Sequence, residues 1–461
     1  MVMESGSIEY QLTDHDQLCF IHIPKTAGTT FTAILDAKFN QAEICPAAVW
    51  SELTQLSPEE LAHYKLLRGH FYYYVYKFLP QKPVYITMLR DPIERVISGY
   101  EFMRRHRPSR PEGLPTHEKA LTMSLKEYVC DPSVPGITNA QTRHLSMNLY
   151  KELSDDLNHP KWLESAKENL EEFAFVGVTE RFDNAMALLA YVFGWNPLLE
   201  YQNLMVAPKR LRQESLSADV IEAIAERNQL DIALYQFAKE KFNVQYDQML
   251  QNLSEQFNYP ASDQLEPQQI YTLLEKHYEY RHAILERSPV PQFLFDFNQA
   301  LLGRGWHLRE GLERNHVFRW TGPGTLSTLD LPQLEPQDTT IQFRIINTVA
   351  SDILESLELQ VNGCKISFFP LHSDVITTVF QGEIPASCLV SELPFTRLTF
   401  KVDRTTSLHS VDPTNLDTRP VGLAFDLIQL YPVNSPETTS AVSFLFDNPA
   451  WQERSLSSNS I

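Results

Sequence analysis

Short apolar runs alternate with segments of helical spacing between about residues 17 and 250. Residues 18–23 and 84–89 are almost wholly apolar, which is typical of buried strands in a parallel sheet. Residues 173–178 form a third run of this kind, with one helical segment before it and another after it. The alternation predicts an α/β fold, in which helices flank a P-loop-like parallel sheet. Ligands of such sheets bind at the carboxyl ends of the strands.

The apolar pattern changes to a period of two after about residue 300. Leu357, Leu359 and Val361 share one face of a predicted strand, and Asn362-Gly363 is a two-residue hairpin turn into the next strand. Repeated short strands of this kind predict a C-terminal all-β, sandwich-like domain. We expect an accessory domain whose tryptophans either fill its core or stack on sugar rings of a glycan.

These two patterns divide the chain into four parts. We predict a first, catalytic α/β domain (1–255), a helical linker region (256–304), a β-sandwich accessory domain (305–435) and a partly flexible tail (436–461). In the linker region we expect helices near 268–287 and 292–302. A chain of 461 residues is long enough for two hydrophobic cores.

Composition and charge narrow the function classes. The net charge of −19 argues against binding of nucleic acid or of an anionic membrane, although local cations can still hold a small anion. Arginines at 104, 105, 107 and 110 form either a solvated helix end or a rim that attracts an acidic substrate. The five scattered cysteines indicate free thiols in a reducing compartment. With neither a leader nor an apolar run of about 20 residues, we expect a cytoplasmic, bacterial protein without a membrane segment.

The strongest chemical signal lies between the first strand and the following helix. This loop consists of Pro24, Lys25, Thr26, Ala27, Gly28, Thr29 and Thr30. A turn of small residues that opens a helix directs backbone N–H groups and the helix dipole at one point, which suits a phosphate. Lys25 adds a full charge, and the threonines add hydroxyl donors. The spacing is not that of a Walker A motif, since Lys25 precedes Gly28.

A second signal follows the strand at 84–89. Arg90 stands at the strand end, and Asp91, Pro92 and Glu94 are the signature of a helix start. Ser98 lies about two turns into that helix, so Arg90 and Ser98 are candidates for a second phosphate site. Two phosphate sites at neighbouring strand ends are what a 3′,5′-bisphosphorylated nucleotide requires.

With these motifs in this order, residues 17–245 resemble the sulfotransferases that depend on 3′-phosphoadenosine 5′-phosphosulfate (PAPS). The similarity is closest to the branch of heparan and uronyl 2-O-sulfotransferases, and residues 166–170 and 175–180 look like the same branch. The resemblance implies that loop 24–30 binds the 5′-phosphosulfate and that Arg90 and Ser98 bind the 3′-phosphate. It also implies that no metal is required, and the sequence has no metal-ligand spacing.

His70, in Leu67-Arg68-Gly69-His70, is the candidate general base that takes the proton of the acceptor hydroxyl. The resemblance places His70 at the second histidine of a His-Gly-His stretch, whereas Arg68 replaces the first. This departure puts a uronic-acid acceptor in question, and Arg68 becomes a candidate acceptor contact. Lys25 would both bind the donor and stabilise the leaving phosphate.

Two further basic or polar segments complete the predicted site. Asn139, Gln141 and Arg143 resemble an N-x-Q-x-R segment whose polar groups face the acceptor and the donor sulfate. Arg210 or Arg212 is predicted to close over the nucleotide, although a solvated charge cluster explains this segment equally well.

The predicted activity is transfer of a sulfuryl group from PAPS to a hydroxyl acceptor, most simply a glycan or glycoconjugate. The same residues are compatible with a lipid or small-molecule hydroxyl as the acceptor. A P-loop kinase is disfavoured by the missing Walker A motif, and a non-catalytic nucleotide-fold binding module requires that Lys25 and His70 face different clefts. His22, inside the first strand, is expected to be structural.

Overall fold

A computed structural model describes residues 8–108, 113–134, 136–146, 158–198, 211–259, 265–285, 287–313, 316–373 and 377–433. The chain divides into two compact units, Met1–Arg281 and His282–Ile461. The predicted tail 436–461 and Arg210 lie outside the described residues. No helix in the described part of the chain is both long enough and apolar enough to cross a membrane.

A parallel sheet forms the centre of the first unit, as the alternating pattern predicts. Its described strands are β1 (Leu18–Ile21), β2 (Leu66–Gly69), β3 (Val84–Leu89) and β4 (Phe175–Val178), in the spatial order β2-β1-β3-β4. Ile21 pairs with Gly69 of β2 and with Thr87 of β3, so the carboxyl ends of these strands meet at one edge. Strand β2 ends one residue before His70, and its sequence shows no strong strand pattern.

The helices of the first unit cover both faces of this sheet with two apolar clusters. They are α1 (Gly28–Asp36), α2 (Trp50–Leu53), α3 (Pro58–His63), α4 (Pro92–Arg105), α5 (Leu114–Thr122), α6 (Leu125–Cys130), α7 (Ala140–Leu145), α8 (Pro160–Glu171), α9 (Phe182–Phe193), α10 (Ala218–Arg227), α11 (Gln229–Gln256) and α12 (Pro267–Ala283). The expected helix near 268–287 is therefore present as α12.

Helix α4 begins where the sequence predicts. The Asp91 carboxylate accepts hydrogen bonds from the backbone N–H groups of Ile93 and Glu94 at 3.0 and 3.1 Å, and Pro92 occupies the first helical position. The Glu94 carboxylate accepts from the Gln213 N–H, and the Asp91 N–H donates instead to the Glu180 carboxylate at 3.0 Å. The arginines at 104 and 105 fall in the last turn of α4, where cations favour the helix dipole.

The second unit is built from antiparallel strands. These are β5 (Phe293–Asp296), β6 (Gly303–Arg304), β7 (Glu310–Glu313), β8 (His316–Trp320), β9 (Leu326–Pro332), β10 (Thr339–Thr348), β11 (Glu358–Val361), β12 (Cys364–Ile366), β13 (Phe368–Ser373), β14 (Thr378–Ile384), β15 (Phe395–Lys401) and β16 (Leu423–Pro432), with short helices α13 (Ser351–Glu355), α14 (Ala386–Leu389) and α15 (Leu408–Val411). One sheet has the order β13-β14-β10-β16-β8-β7 with β5 beside β16, and another the order β12-β11-β15-β9-β6. The sandwich arrangement stays a prediction.

The turn at Asn362-Gly363 is confirmed, because both residues have positive φ, 48° and 84°, between the paired strands β11 and β12. The helix expected at 292–302 is wrong. Residues 293–296 instead form β5, which pairs with β16 and alternates between exposed and buried positions. Pairing with a central strand overrides a helical spacing that is only a few residues long. Trp320 is buried, as the core alternative predicts.

Candidate functional site

The loop between β1 and α1 holds two residues in unusual backbone conformations. Lys25 has φ 74° and Ala27 has φ 62°, both in the left-handed region that side chains with a Cβ rarely adopt. Each such residue costs roughly 1–3 kcal/mol and persists only where its surroundings enforce it. Left-handed residues at alternate positions turn successive N–H groups towards one side, which forms a concavity for an anion. Ala27 is also the N-cap of α1, and its side chain cannot cap the helix.

Gly28 is required by the closeness of His22. A Cβ at Gly28 would lie 1.8 Å from Nε2 of His22 and 2.0 Å from its Cδ2. The His22 ring cannot easily yield, because it stacks on Phe20 at 5.3 Å and lies 4.3 Å from the His70 ring. The glycine of the motif therefore makes room for a histidine that precedes the loop.

Arg90 ties the loop to the end of β3. Its Nη1 donates a hydrogen bond to the backbone carbonyl of Lys25 at 3.0 Å, and its Nη2 lies 3.5 Å from the Glu94 carboxylate. The Arg90 side chain is buried, and its Nε has no hydrogen-bond partner within the described part of the chain. The Lys25 ammonium lies over the Phe102 ring, 3.9 Å from its centroid. Both cations are thus held at the carboxyl edge of the sheet.

A cavity of about 520 Å³ opens at this edge. It is lined by residues from the ends of β1, β2 and β3, from loop 24–30, from helices α4, α5, α6 and α7 and from the segment before α7: His22, Pro24, Lys25, Ala27, Gly28, Thr29, His70, Arg90, Arg95, Val96, Ser98, Gly99, Tyr100, Phe102, Met103, Thr116, Tyr128, Gly136, Ile137, Ala140 and His144. Three of these described lining residues are cations and none is a carboxylate. In a chain of net charge −19, such a wall selects for an anion.

Helix α4 presents one face to the cavity. Arg95, Ser98 and Phe102 recur at helical spacing on that face and line the cavity together. Gly99 completes the face, and a Cβ there would lie an ordinary 3.9 Å from Cγ of Lys25. The buried Arg95 donates to the carbonyls of Gly136 and Ile137 at 3.2 to 3.3 Å, and its Nε lies 3.9 Å from the buried Asp231 carboxylate, so its charge is fixed in place and paired.

His70 is oriented by the backbone of β1. Its Nδ1 lies 2.8 Å from the carbonyl oxygen of His22, and a carbonyl can only accept, so Nδ1 carries the proton in the neutral ring. The tautomer that follows leaves Nε2 unprotonated, which is the form a general base needs. His144 is oriented in the same way, because its Nδ1 donates to the Ala140 carbonyl at 2.6 Å.

Two of the three imidazoles at the cavity are kept neutral. Burial, followed by the neighbouring His70, lowers the pKa of His22 to about 3. Burial is also the main cause that lowers the pKa of His144 to about 3. Burial raises the pKa of the Tyr128 phenol to about 12, so it remains a proton donor at neutral pH. Neither His22 nor His144 therefore adds a full charge to the wall.

The segment with Asn139 and Gln141 supports the site from behind. The Gln141 side chain accepts from the Arg90 N–H at 2.9 Å and donates to the Arg90 carbonyl at 2.8 Å, so it binds both backbone groups of the residue that follows β3. Asp231 of α11 accepts from the N–H groups of Gln141 and Thr142 at 3.1 and 2.7 Å. Asn139, with φ 46°, accepts in turn from the first N–H groups of α11.

Several predicted site residues are not brought to the cavity. Arg68, on β2, pairs with the Asp36 carboxylate of α1 at 2.6 and 3.2 Å and donates a hydrogen bond to the Cys45 carbonyl. The Thr26 hydroxyl donates to the Ile23 carbonyl at 2.9 Å, inside the loop. Thr30 is buried in α1, and Asn139, Gln141 and Arg143 are absent from the described cavity wall. Thr26, Asn139 and Gln141 thus have the expected residue types, but their side chains bond neighbouring backbone groups.

The segment after 210 is held against α4. The N–H groups of Leu211 and Gln213 donate to the carboxylates of Glu101 and Glu94 at 3.0 and 3.1 Å. Burial raises the pKa of the Glu94 carboxyl, and the Gln213 N–H and the charge of the exposed Arg212 offset part of that rise. Arg210, the other predicted closing residue, lies outside the described residues.

Sequence reasoning missed His144 and Arg95 and took His22 to be structural only. Two local signals were available: the i, i+4 spacing of Ala140 and His144, and the shared helix face of Arg95, Ser98 and Phe102. No local pattern, however, shows that these two helices face the same cavity. No group of three or more His, Cys, Asp or Glu that could hold a metal ion occurs among the residues that the structure describes.

Comparison with known proteins identifies relatives of the first unit. Residues 9–238 match the model of the Sulfotransferase family. Heparan-sulfate 6-O-sulfotransferase 3 of Mus musculus is 25% identical over 292 residues, which is 52% of this chain and 60% of that protein. Heparan-sulfate 6-O-sulfotransferase 1 of Homo sapiens is 26% identical over 298 residues, 52% of this chain and 69% of that protein. These relatives are named for 6-O transfer, so they do not confirm the expected 2-O branch.

The chain thus spans 60% of the length of the mouse relative. A family 35 carbohydrate binding module from Clostridium thermocellum aligns over 98% of its own length and 31% of this chain, at 8% identity and a TM-score of 0.19. That likeness is too weak to define the fold of any part of the chain.

Proposed function

We propose that this chain, which belongs to the PAPS-dependent sulfotransferase family through residues 9–238, transfers a sulfuryl group from PAPS to a carbohydrate hydroxyl. The observation that carries the proposal is that Lys25, Arg90 and His70 line one cavity at the carboxyl edge of the parallel sheet. A non-catalytic module would not need a general base beside the anion site.

The cavity suits the donor in size, charge and shape. Its volume of about 520 Å³ lies in the range of ligand pockets, roughly 300–1,000 Å³. The concave loop around Lys25 and Ala27 would bind the 5′-phosphosulfate through backbone N–H groups and the start of α1. Arg90 and Ser98, across the cavity on β3 and α4, would hold the 3′-phosphate. The buried Nε group of Arg90 is a donor for which an anionic ligand would be a partner.

The donor supplies a sulfuryl group whose transfer breaks its bond to the phosphate oxygen as the acceptor oxygen forms a new S–O bond. His70 would take the acceptor proton on Nε2, since the His22 carbonyl holds the proton of the ring on Nδ1. Lys25 would stabilise the negative charge that appears on the leaving phosphate.

A carbohydrate acceptor is supported by the relatives, which are named as heparan-sulfate sulfotransferases. The Arg68 side chain, which the sequence suggested as an acceptor contact, would act instead by securing β2 to Asp36. Gln141 would position Arg90 rather than touch the acceptor.

The test is thermal stabilisation by adenosine 3′,5′-bisphosphate, compared with ATP and Mg²⁺. We expect the bisphosphate to raise the midpoint of unfolding of the wild type and to have little effect on Lys25→Ala or Arg90→Ala. Lys38→Ala serves as the matched control, because Lys38 lies beyond the end of α1, outside the cavity wall. A response to ATP and Mg²⁺ alone would favour the kinase alternative and refute the proposed donor.

A further inference from the structure

A row of aromatic rings leads away from the cavity wall at His144. Tyr72 stacks on the His144 ring with centroids 4.9 Å apart and planes 19° apart. Tyr74 continues the stack, 5.6 Å from Tyr72 with planes 11° apart. Because His144 lines the cavity, the two tyrosines extend an aromatic surface directly from the proposed acceptor side.

Trp50 and Phe78 complete this aromatic row of His144, Tyr72, Tyr74, Trp50 and Phe78. Trp50 meets Tyr72 at 6.2 Å and Tyr74 at 4.8 Å, in both cases edge-on, and it meets Phe78 at 5.2 Å. These geometries are the favourable ones for aromatic pairs. The row is therefore a preformed surface with fixed ring orientations.

The backbone aligns the row with His70. His70 donates its N–H to the Ala48 carbonyl at 2.8 Å, and Val49 forms a parallel bridge with His70. A Cβ at Gly69 would lie 2.5 Å from the Ala48 oxygen, so glycine is needed for this approach. Trp50 follows Val49 directly, and its position is thereby fixed relative to the candidate base.

Except for the buried His144, the rings of the row are only partly covered. Tyr73 and Val75 point into the apolar cluster beneath the sheet, while the alternate residues Tyr72 and Tyr74 remain partly exposed. Phe78 is 39% exposed. Core packing explains the inward residues, but it does not explain why Trp50, Tyr72, Tyr74 and Phe78 stay partly exposed beside a polar cavity.

We propose that the aromatic row binds a pyranose ring of a glycan acceptor, adjacent to the sugar whose hydroxyl reaches His70. This inference rests on the proposed function, and it names the acceptor subsite. A pyranose has an apolar C–H face that matches an aromatic plane, and tyrosine and tryptophan add polar edges for its hydroxyls. A small phenolic or metabolite acceptor would end inside the cavity and would not need rings beyond His144.

The test uses variants that keep side-chain bulk but alter the ring. Tyr74→Leu removes the aromatic face, Tyr74→Phe retains it, and Trp50→Leu removes the edge-on partner. Tyr280→Leu is the matched control, because Tyr280 is a 48% exposed tyrosine on α12 and lies outside the row. Affinity for a size-defined heparan oligosaccharide is measured by calorimetry in the presence of adenosine 3′,5′-bisphosphate. Thermal stabilisation by the bisphosphate alone is measured in parallel.

We expect Tyr74→Leu and Trp50→Leu to weaken oligosaccharide binding about tenfold or more, with Tyr74→Phe and Tyr280→Leu close to wild type. Stabilisation by the bisphosphate should be unchanged in all four variants. Unchanged oligosaccharide affinity in Tyr74→Leu and Trp50→Leu would overturn the inference. So would a wild type that responds to the bisphosphate but binds only a small aryl alcohol. If the wild type fails to respond to the bisphosphate, the proposed donor is refuted, and the aromatic row is still judged by the oligosaccharide titrations.

Discussion

Arg90 donates a hydrogen bond from Nη1 to the backbone carbonyl of Lys25 at 3.0 Å. This contact joins the two motifs of the proposed donor site, one after β1 and the other after β3. It also helps to hold Lys25 in its left-handed conformation, φ 74°, which an unsupported lysine would leave. A single guanidinium thus serves both as a cation of the cavity and as a brace for the loop.

Because the hydrogen bond to Lys25 depends on the guanidinium of Arg90, we predict that a positive charge alone at position 90 is not sufficient for binding of the bisphosphate. Arg90→Lys keeps the positive charge but lacks the planar fork that bonds Lys25 and approaches Glu94. We expect its affinity for adenosine 3′,5′-bisphosphate to fall about tenfold or more. Titration calorimetry measures the loss, and Arg104→Lys, at the exposed end of α4, is the control. Equal affinities of Arg90→Lys and wild type would show that the brace is dispensable.

Gly28→Ala is expected to reduce the free energy of unfolding by about 1–3 kcal/mol, the usual range for overpacking. The added methyl group would overlap the His22 ring, which Phe20 and His70 hold in place. In the His22→Ala background the same change should be much less destabilising. Chemical denaturation of the four proteins of this double-mutant cycle gives the coupling. Gly99→Ala is the control, since its Cβ would meet only an ordinary contact.

His70→Ala should keep the bisphosphate affinity of the wild type and lose turnover by about 10²–10⁴. The physical reason is that in the proposed mechanism the imidazole would act on the acceptor proton, whereas the donor would be held by Lys25, Arg90 and the loop. Single-turnover rates with PAPS and a glycan acceptor measure the effect, and His63→Ala, an exposed histidine on α3, is the control. A loss below about tenfold would rule out His70 as the general base.

The neutral histidines predict a loss of stability in acid. The folded pKa of His22 and of His144 is about 3, whereas an unfolded histidine has a pKa of about 6.5. Between these values the unfolded chain binds more protons, so the free energy of unfolding decreases as pH falls, by up to about 1.4 kcal/mol per pH unit for each residue. Stability is thus highest above about pH 6.5 with respect to these two groups.

This slope is measured by urea denaturation between about pH 6 and pH 5. His22→Phe combined with His144→Asn should make the dependence shallower, because neither replacement takes up a proton there. His63→Asn is the exposed control. An unchanged slope in the double variant would mean that these rings are not held neutral in the folded protein.

Gln141→Leu should destabilise the fold by about 1–3 kcal/mol and weaken bisphosphate binding at the same time. The substitution leaves the N–H and the carbonyl of Arg90 buried without their amide partner. Gln236→Leu, on the exposed face of α11, is the control for the loss of an amide. Stability and bisphosphate affinity are measured on the same preparations. A loss of affinity for the acceptor alone would instead restore the original expectation that Gln141 touches the acceptor.

The sequence alone determined β1, β3 and β4 of the parallel sheet, the loop around Lys25 and the start of α4 at Asp91. These features follow from interactions within a few residues: apolar runs, small residues at a turn and a carboxylate cap. The hairpin at Asn362-Gly363 belongs to the same class, because its positive φ angles are a property of the two residues themselves. The helix predicted at 292–302 failed because strand pairing with distant β16 decides that segment.

Only the tertiary structure decided which side chains share the cavity. Gln141 meets Arg90 across 51 residues of chain, and Asp231 meets Thr142 across 89. Such contacts depend on how α7 and α11 pack behind β3, which no local pattern specifies. The same packing directs Arg68 to Asp36 and brings His144 beside His70 and Tyr72. Residue type at a motif position is thus set locally, but the direction of each side chain is set by the elements packed around it.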